Sequence, residues 1–584
     1  MKALLVAINA KYIHSNLAVY SLKACAGEYE RYVELAEFTI NHQKDFILEE
    51  IYKRKSDVLC MSCYIWNIEY VLSVTKEFHK LCPGVPIWVG GPEVSYEITE
   101  FLQKNTHLTG IMIGEGEETF REIMGYYMDA QSKKKLGDIP GLAFWEGDES
   151  GERAKLEITA QRAPMDLNRI PFCYRNLEDF SNRIIYYESS RGCPFSCSYC
   201  LSSVDKSLRF RDLLLVKEEL GFFLEKQVLQ VKFVDRTFNC NHAHAIEIWN
   251  FIKEHDNGVT NFHFEISADL LTEEESELLS GMRPGLIQLE IGVQSTNEAT
   301  IQEIHRTMKL ERVKAAVRKI QAGKNIHEHL DLIAGLPYED YASFAKSFNE
   351  IYELKPNQLQ LGFLKVLKGS YMYHHAEEYG ICYHEEPPYE VLYTNWLTYA
   401  DVLRIKQVEE MLEVYYNSGQ FEITILLLEC FFDSAFEMFL KLGEFYEKRN
   451  YFSMSHSRMR RCEIVLEFIE EYLQQKEESY KEKILSVVKE ALIFDLYERE
   501  NCKSRPYWAP NPSGWRNMTR TYCVNGKLCH VEPFFYDFLD KNALRAKNIP
   551  ERRQEPLWVL FSYERRDLLN HQAHAEYVKE KKDE

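Results

Sequence analysis

Arg191-Gly-Cys-Pro-Phe-Ser-Cys-Ser-Tyr-Cys200 places Cys193, Cys197 and Cys200 within eight positions, directly behind an apolar run at 184–188 that reads as a β-strand. Thiolates at such spacing bind zinc or iron-sulfur clusters. Structural zinc wants a closed set of four ligands, usually from paired C-x-x-C elements, and no second pair falls at a matching distance. The loop therefore reads as a metal site with one position open. Working outward from it, strand-then-helix alternation continues through apolar runs at 231–234, 262–266, 286–291, 330–334 and 359–363. Six βα units predict a partial (β/α)6 TIM barrel over 181–375. Chemistry in such barrels sits on loops beyond the carboxyl ends of the strands, which is where the cysteine loop falls.

Upstream, residues 1–135 alternate short apolar runs at 3–8, 58–61, 87–89 and 110–113 with segments of helical length and period. This predicts a doubly wound, Rossmann-like (flavodoxin-like) α/β domain, whose ligand belongs beyond the carboxyl ends of its strands. The loops there carry His14, Ser62-Cys63, Gly90-Gly91-Pro92-Glu93 and Gly114-Glu115-Gly116-Glu117. Their glycines permit close approach of backbone to a bulky ligand. No G-x-G-x-x-G follows the first strand, which argues against a dinucleotide. Residues 136–180 read as a hairpin, turning at Gly147-Asp-Glu-Ser-Gly151, and a linker through Pro164 and Pro171. Residues 376–584 read as a mainly helical domain, with long helices at 423–448 and 462–495, a break at 506–515 and an aromatic-rich mixed end.

A chain of 584 residues exceeds one hydrophobic core, consistent with three domains. With 45% hydrophobic and 27% charged residues it has the composition of an ordinary globular protein, and the apolar stretch at 423–432 is too short to span a bilayer. Asn9 and Lys11 end the first apolar run too early for a signal peptide, so a cytoplasmic protein without membrane contact is expected. A formal charge of -20 disfavours non-specific attraction to nucleic acid or anionic membrane. Fifteen cysteines without a secretory signal favour thiols and metal ligation over disulfides. Cys502, Cys523, Cys529 and His530 match no metal-binding spacing and read as scattered core residues.

Cys193-x3-Cys197-x-Tyr199-Cys200, preceded by Arg191-Gly192 and following a strand, closely resembles the cluster motif of the radical S-adenosylmethionine (SAM) superfamily. The resemblance implies that the three thiolates hold three irons of a 4Fe-4S cluster and that SAM takes the open fourth iron. It further implies that Tyr199 packs near the adenine. Asp235, at the end of the second strand, would accept from the SAM amino group, Glu290 and Gln294 would contact ribose or methionine, and Gly335 would let backbone approach the adenine. The Gly-Gly-Pro and Gly-Glu-Gly-Glu loops, fused to such a barrel, resemble the cobalamin-binding domain of cobalamin-dependent radical SAM enzymes. That assigns His14, Ser62, Cys63, Gly90, Gly91, Pro92, Glu93, Gly114, Gly116 and Glu117 to cobalamin. The Asp-x-His-x-x-Gly motif that supplies a lower histidine ligand is missing, and His14 stands in the right loop at the wrong spacing.

Methylthiotransferases also join an α/β domain to such a barrel, but Cys25, Cys60 and Cys82 fall within a helix, within a strand and at a helix end, rather than in loops fit for a second cluster. The arrangement as a whole resembles an oxygen-sensitive, cobalamin-dependent radical SAM methyltransferase with a carboxyl-terminal domain of unknown function. It would act on an unactivated carbon through a 5′-deoxyadenosyl radical and methylcobalamin, with an external electron donor such as flavodoxin or ferredoxin. The acidic charge favours a small molecule, lipid or peptide over nucleic acid as substrate. The alternatives are a rearrangement or cyclisation enzyme using the same cofactors, and a non-catalytic cluster- and cobalamin-binding sensor or partner protein.

Overall fold

The computed structural model describes residues 1–129, 134–146, 155–502, 504–510, 515–523 and 528–579; the turn expected at 147–151 lies outside them. The first sheet is built from β1 (Ala3–Asn9), β2 (Val33–Thr39), β3 (Val58–Ser62), β4 (Ile87–Gly90), β5 (Gly110–Met112), β6 (Leu142–Glu146) and β7 (Lys155–Ile158), in the order β2-β1-β3-β4-β5-β6-β7. β1 to β5 run parallel, and β6 and β7 add antiparallel at the edge. The hairpin is thus part of the sheet. Every residue of Ala-Leu-Leu-Val-Ala-Ile-Asn in β1 is buried because helices cover both faces, giving one apolar core on each side. The order reverses between β1 and β3, so their loops splay apart and leave the crevice in which doubly wound folds bind ligands.

The second sheet begins at β8 (Ile185–Tyr187). A short pair, β9 (Ser190–Arg191) with β10 (Arg209–Phe210), brackets the cysteine loop. β11 (Gln230–Phe233), β12 (Asn261–Ile266), β13 (Ile287–Gln294), β14 (His327–Ala334) and β15 (Gln358–Phe363) complete a six-stranded parallel array in the order β15-β14-β13-β12-β11-β8. This is the expected partial barrel, open between β15 and β8. Its β8 side meets the first domain through a parallel backbone bridge between His14 and Ile184. On the other side, the Asn417 side chain acts as a surrogate strand: Oδ1 accepts from Leu359 N at 3.0 Å and Nδ2 donates to Leu359 O at 2.8 Å.

The carboxyl-terminal third is helical over Tyr399–Leu412, Glu422–Leu428, Ala435–Lys448, Arg458–Tyr472 and Glu478–Arg499, and then forms an antiparallel sheet of Cys529–Phe534, Leu557–Arg566 and Ala573–Val578. The two long helices expected from periodicity are each interrupted. Ser434 caps a new helix by accepting from Glu437 N, and the segment between Tyr472 and Glu478 turns before the last helix starts. Phe534, Tyr536 and Phe538 join Phe494 and Phe561 in the core. Cys523 and Cys529 form a disulfide with their Cα atoms 5.5 Å apart, where thiols and metal ligation were favoured over disulfides. No helix among the described residues is long and apolar enough to cross a membrane.

Candidate functional site

The carboxyl ends of both parallel sheets face one another across a cavity of about 780 Å³. From the first sheet it is lined by His14, Ser62, Gly90, Gly91, Pro92, Gly114, Gly116 and Glu117, and from the barrel side by Tyr186, Glu188, Arg191, Gly192 and Arg236. Eight of the ten residues singled out in the first-domain loops therefore share one wall. Cys63 and Glu93 do not. The Cys63 side chain is fully buried, with burial raising its thiol pKa, and its carbonyl lies 2.4 Å from where a Cβ on Gly91 would stand. Gly91, at φ +123°, is what that close approach requires. Glu93 is buried and accepts from the Tyr389 hydroxyl, tying the loop to the segment that follows the barrel. His14 Nδ1 sits 2.7 Å from the Tyr186 hydroxyl, and desolvation lowers its pKa. It is a lining residue already engaged with the barrel.

A smaller cavity of about 240 Å³ opens at the barrel mouth, walled by Cys197, Arg236, Thr237, Glu265, Ser267, Glu290, Gly292, Gln294, Arg306 and Asp331. The cysteine loop is held over it. Ser198 N bonds to Ile304 O at 2.9 Å, and Met372 N bonds to Ser198 O at 2.9 Å. Cys193 and Cys197 are buried and Cys200 is half-buried. Desolvation raises the Cys193 pKa. Arg306 Nη1 lies 3.8 Å from Cys197 Sγ and 3.2 Å from the Tyr199 hydroxyl. The guanidinium places a positive charge beside the cysteine loop.

Gln294 bears most directly on ligand binding. It ends β13 with φ +72°, a left-handed conformation unusual for a side chain larger than glycine. Its Oε1 is buried without a hydrogen-bond partner. A strained residue with an unused buried acceptor at a cavity wall is uncommon in a folded protein.

Two residues expected at SAM make close contacts within the fold. Asp235 is fully buried and accepts from Ser189 N at 3.0 Å, Ser189 Oγ at 2.7 Å and Ser190 Oγ at 2.5 Å; burial still raises its pKa to about 6. It braces the strand end ahead of the cysteine loop. Gly335, at φ +89°, would bring a Cβ within 2.7 Å of Val391, so its absent side chain admits the post-barrel strand Val391–Tyr393. Glu290 does line the cavity, with Oε2 held by Lys232 at 2.9 Å and His263 at 3.0 Å.

Sequence reading missed Arg306, Arg236, Glu265 and Asp331. Polar residues at every second position of otherwise apolar strands, as in His263-Phe-Glu265 and His327-Glu-His-Leu-Asp331, were the available signal.

Residues 3–124 match the B12 binding domain, residues 187–351 match the radical SAM superfamily, and residues 377–551 match a family described as a protein of unknown function (DUF4080). The chain thus joins a B12 binding domain to a radical SAM domain and to that third domain. It is 27% identical over 331 residues to 2-(S-pantetheinyl)-carbapenam-3-carboxylate methyltransferase of Streptantibioticus cattleyicolor, and 27% identical over 326 residues to the cobalamin-dependent radical SAM methyltransferase TokK of Streptomyces tokunonensis. Each match takes in 51% of this chain and 45% of the relative, so the chain spans about half the length of the curated relatives it matches. The radical SAM methyltransferase TsrM of Kitasatospora setae, solved with cobalamin and a 4Fe-4S cluster, has a similar fold. The TM-score is 0.52 at 17% identity, covering 67% of this chain and 82% of that one.

Proposed function

We propose that the chain is a cobalamin-dependent radical SAM methyltransferase acting at carbon. The observation that carries this reading is the juxtaposition of the two cavities: Arg236 lines both, so a ligand in the glycine-rich cavity and one at the barrel mouth meet at a shared wall. When bound, the cluster and SAM supply one-electron cleavage chemistry and cobalamin supplies a methyl carrier.

The residues present fit those groups. Three thiols on one loop, with Arg306 beside Cys197, suit a cluster held by Cys193, Cys197 and Cys200. Gln294 Oε1 is an acceptor for a SAM donor group; Glu265 and Glu290 line the same cavity, and Tyr199 packs among Ile333, Phe363 and Val391. The backbone of Gly90-Gly91-Pro92 and Gly114-Glu115-Gly116, with Ser62, offers the flat wall that a corrin requires. Arg191, Glu117 and Glu188 line the larger cavity and tie the start of the cysteine loop to the first sheet. An external low-potential donor such as flavodoxin or ferredoxin would supply the electron, and the substrate class is a small molecule, lipid or peptide.

The test is anaerobic reconstitution with iron, sulfide, cobalamin, SAM and reductant, followed by product analysis. Joint formation of 5′-deoxyadenosine and S-adenosylhomocysteine supports methyl transfer. Deoxyadenosine alone moves the assignment to rearrangement, and formation of neither product overturns the catalytic reading. Cys193→Ala abolishes deoxyadenosine; its persistence sinks the cluster assignment.

A further inference from the structure

The three cysteines lie inside one hairpin. β9 and β10 pair antiparallel with Arg191 opposite Arg209, and residues 192–208 between them carry Cys193, Cys197 and Cys200. Gly192, at φ +95°, lets the two arms close, since a Cβ there would stand 2.8 Å from Ser207 O. The loop has little apolar anchorage: of residues 192–208 only Tyr199 packs against one of the buried apolar cores. Its shape therefore depends on polar contacts and on whatever its thiols hold.

Both arms grip the first domain and the segment that leads out of it. Arg191 donates to Glu117 at 2.7 Å. Its cross-strand partner Arg209 donates to both carboxylate oxygens of Glu115 and, through Nη1, to Met165 O at 2.8 Å; Glu115 in turn accepts from Met165 N at 3.1 Å. Just past β10 the backbone of Arg211 extends the hairpin, N to Ser189 O at 2.8 Å. Its buried guanidinium donates to Leu167 O and, at 2.9 Å, to Ile170 O, while Glu219 holds the same group at 2.6 and 3.0 Å. Segment 165–173 has only the short 3-10 turn Leu167–Arg169 of its own, so these side chains decide where its carbonyls stand.

The parts so joined are one wall of the 780 Å³ cavity. Glu117 lines it from the first sheet, Leu167 and Ile170 from segment 165–173, and Leu201 and Ser202, directly after Cys200, from the cysteine loop itself. We propose that this hairpin couples the two cofactor sites: a cluster held on its thiolates tightens the large cavity's grip on cobalamin, and Arg209 and Arg211 are the positioning residues that carry the coupling. The inference rests on the cofactor assignment made above. Three thiolates tied to one metal group crosslink a loop that lacks an apolar anchor, which fixes both arms and, through the two guanidinium groups, the carbonyls of 165–173. The wall is then ordered before cobalamin arrives, so less ordering remains to oppose binding. By linkage the effect is reciprocal, and cobalamin strengthens retention of the cluster by the same factor.

The test measures hydroxocobalamin binding to the full-length protein by anaerobic equilibrium dialysis, once with the cluster reconstituted and once after a chelator has removed the iron. Cluster loading should lower the wild-type dissociation constant at least about fivefold. Arg209→Met should bring that ratio close to one with iron and sulfide content unchanged. Arg211→Lys, which keeps a charge beside Glu219 but cannot span both carbonyls, should lower it as well. Equal affinity in the two wild-type states overturns the coupling, and undiminished coupling in both variants overturns the route. Hydrogen exchange of the wild-type chain without cobalamin is a second readout, independent of how the variants fold: the amides of 165–173 should exchange more slowly when the cluster is loaded, and a rate that ignores the cluster refutes the proposal. Cobalamin bound equally in both states leaves the methyltransferase reading standing, whereas no cobalamin binding in either state removes that reading and the coupling together.

Discussion

Arg191 Nη2 lies 2.7 Å from Glu117 Oε1, joining the first residue of the cysteine-loop motif to the Gly-Glu-Gly-Glu loop of the other sheet. Glu188 accepts from the same nitrogen at 2.7 Å, and Glu115 stands 3.6 Å from Nη1. The guanidinium is thus enclosed by three carboxylates contributed by both domains.

Removing that cation while leaving the acids costs more than the pair itself is worth. Arg191→Met should destabilise the protein by about 3–5 kcal/mol. Glu117→Gln, which keeps an acceptor, should cost about 1 kcal/mol. Urea unfolding of both variants checks the ordering. Equal losses would contradict this ordering, and no loss in Glu117→Gln would mean that Glu117 is not a principal partner.

Gln294 trades stability for an acceptor in the cavity. Replacing it with glycine relieves the left-handed backbone and should stabilise the fold by about 1 kcal/mol, while SAM binding measured by calorimetry weakens about tenfold. Gly292→Ala reaches the same binding defect by another route, because its Cβ would stand 2.3 Å from Gln294 Nε2 and displace the amide. Unchanged SAM affinity in both variants would remove Gln294 from the site.

Glu328, on the helix-facing side of β14, is fully buried with neither oxygen hydrogen-bonded, and burial pushes its carboxyl up to about 8. The unfolded chain ionises near 4.3, so between that pH and 8 the folded state holds the extra proton and stability falls as pH rises. Glu328→Gln removes this loss. Its melting temperature should exceed wild type by a margin that grows from pH 5 to 7.5 and levels off above 8, with about 1–3 kcal/mol gained at pH 7. A margin independent of pH would contradict the assignment.

Asn417→Ala deletes the surrogate strand at the barrel edge and leaves both polar groups of Leu359 unpaired. A loss of about 1–3 kcal/mol is expected, with faster hydrogen exchange at the Leu359 amide. An unaltered exchange rate would show that something else covers this edge.

The two parallel sheets were legible because β1 and its neighbours are apolar at every position, the signature of strands covered on both faces. The glycine loops were legible for a related reason, since close backbone packing allows few alternatives. The bracing contacts of Asp235 were not legible because a carboxylate at a strand end looks the same whether it faces a cavity or the next loop; its partners Ser189 and Ser190 lie 45 and more residues upstream. Arg306 was out of reach for the same reason: its contact with Tyr199 closes a separation of 107 residues. The polar interior of the barrel was masked by the apolar residues alternating with it. The helix break at Ser434 went unread because one capping serine does little to interrupt a strong apolar period.

The wall between the two sheets changes character along its length. Beside β1 it is backbone bonded to backbone, Ile184 N to Ile13 O; beyond β4 it is phenol to carboxylate, Tyr389 to Glu93; beyond β5 it is guanidinium to carboxylate, Arg191 to Glu117. The large cavity is therefore closed by three chemically different contacts, and only the guanidinium one ties the start of the cysteine loop itself to the first sheet.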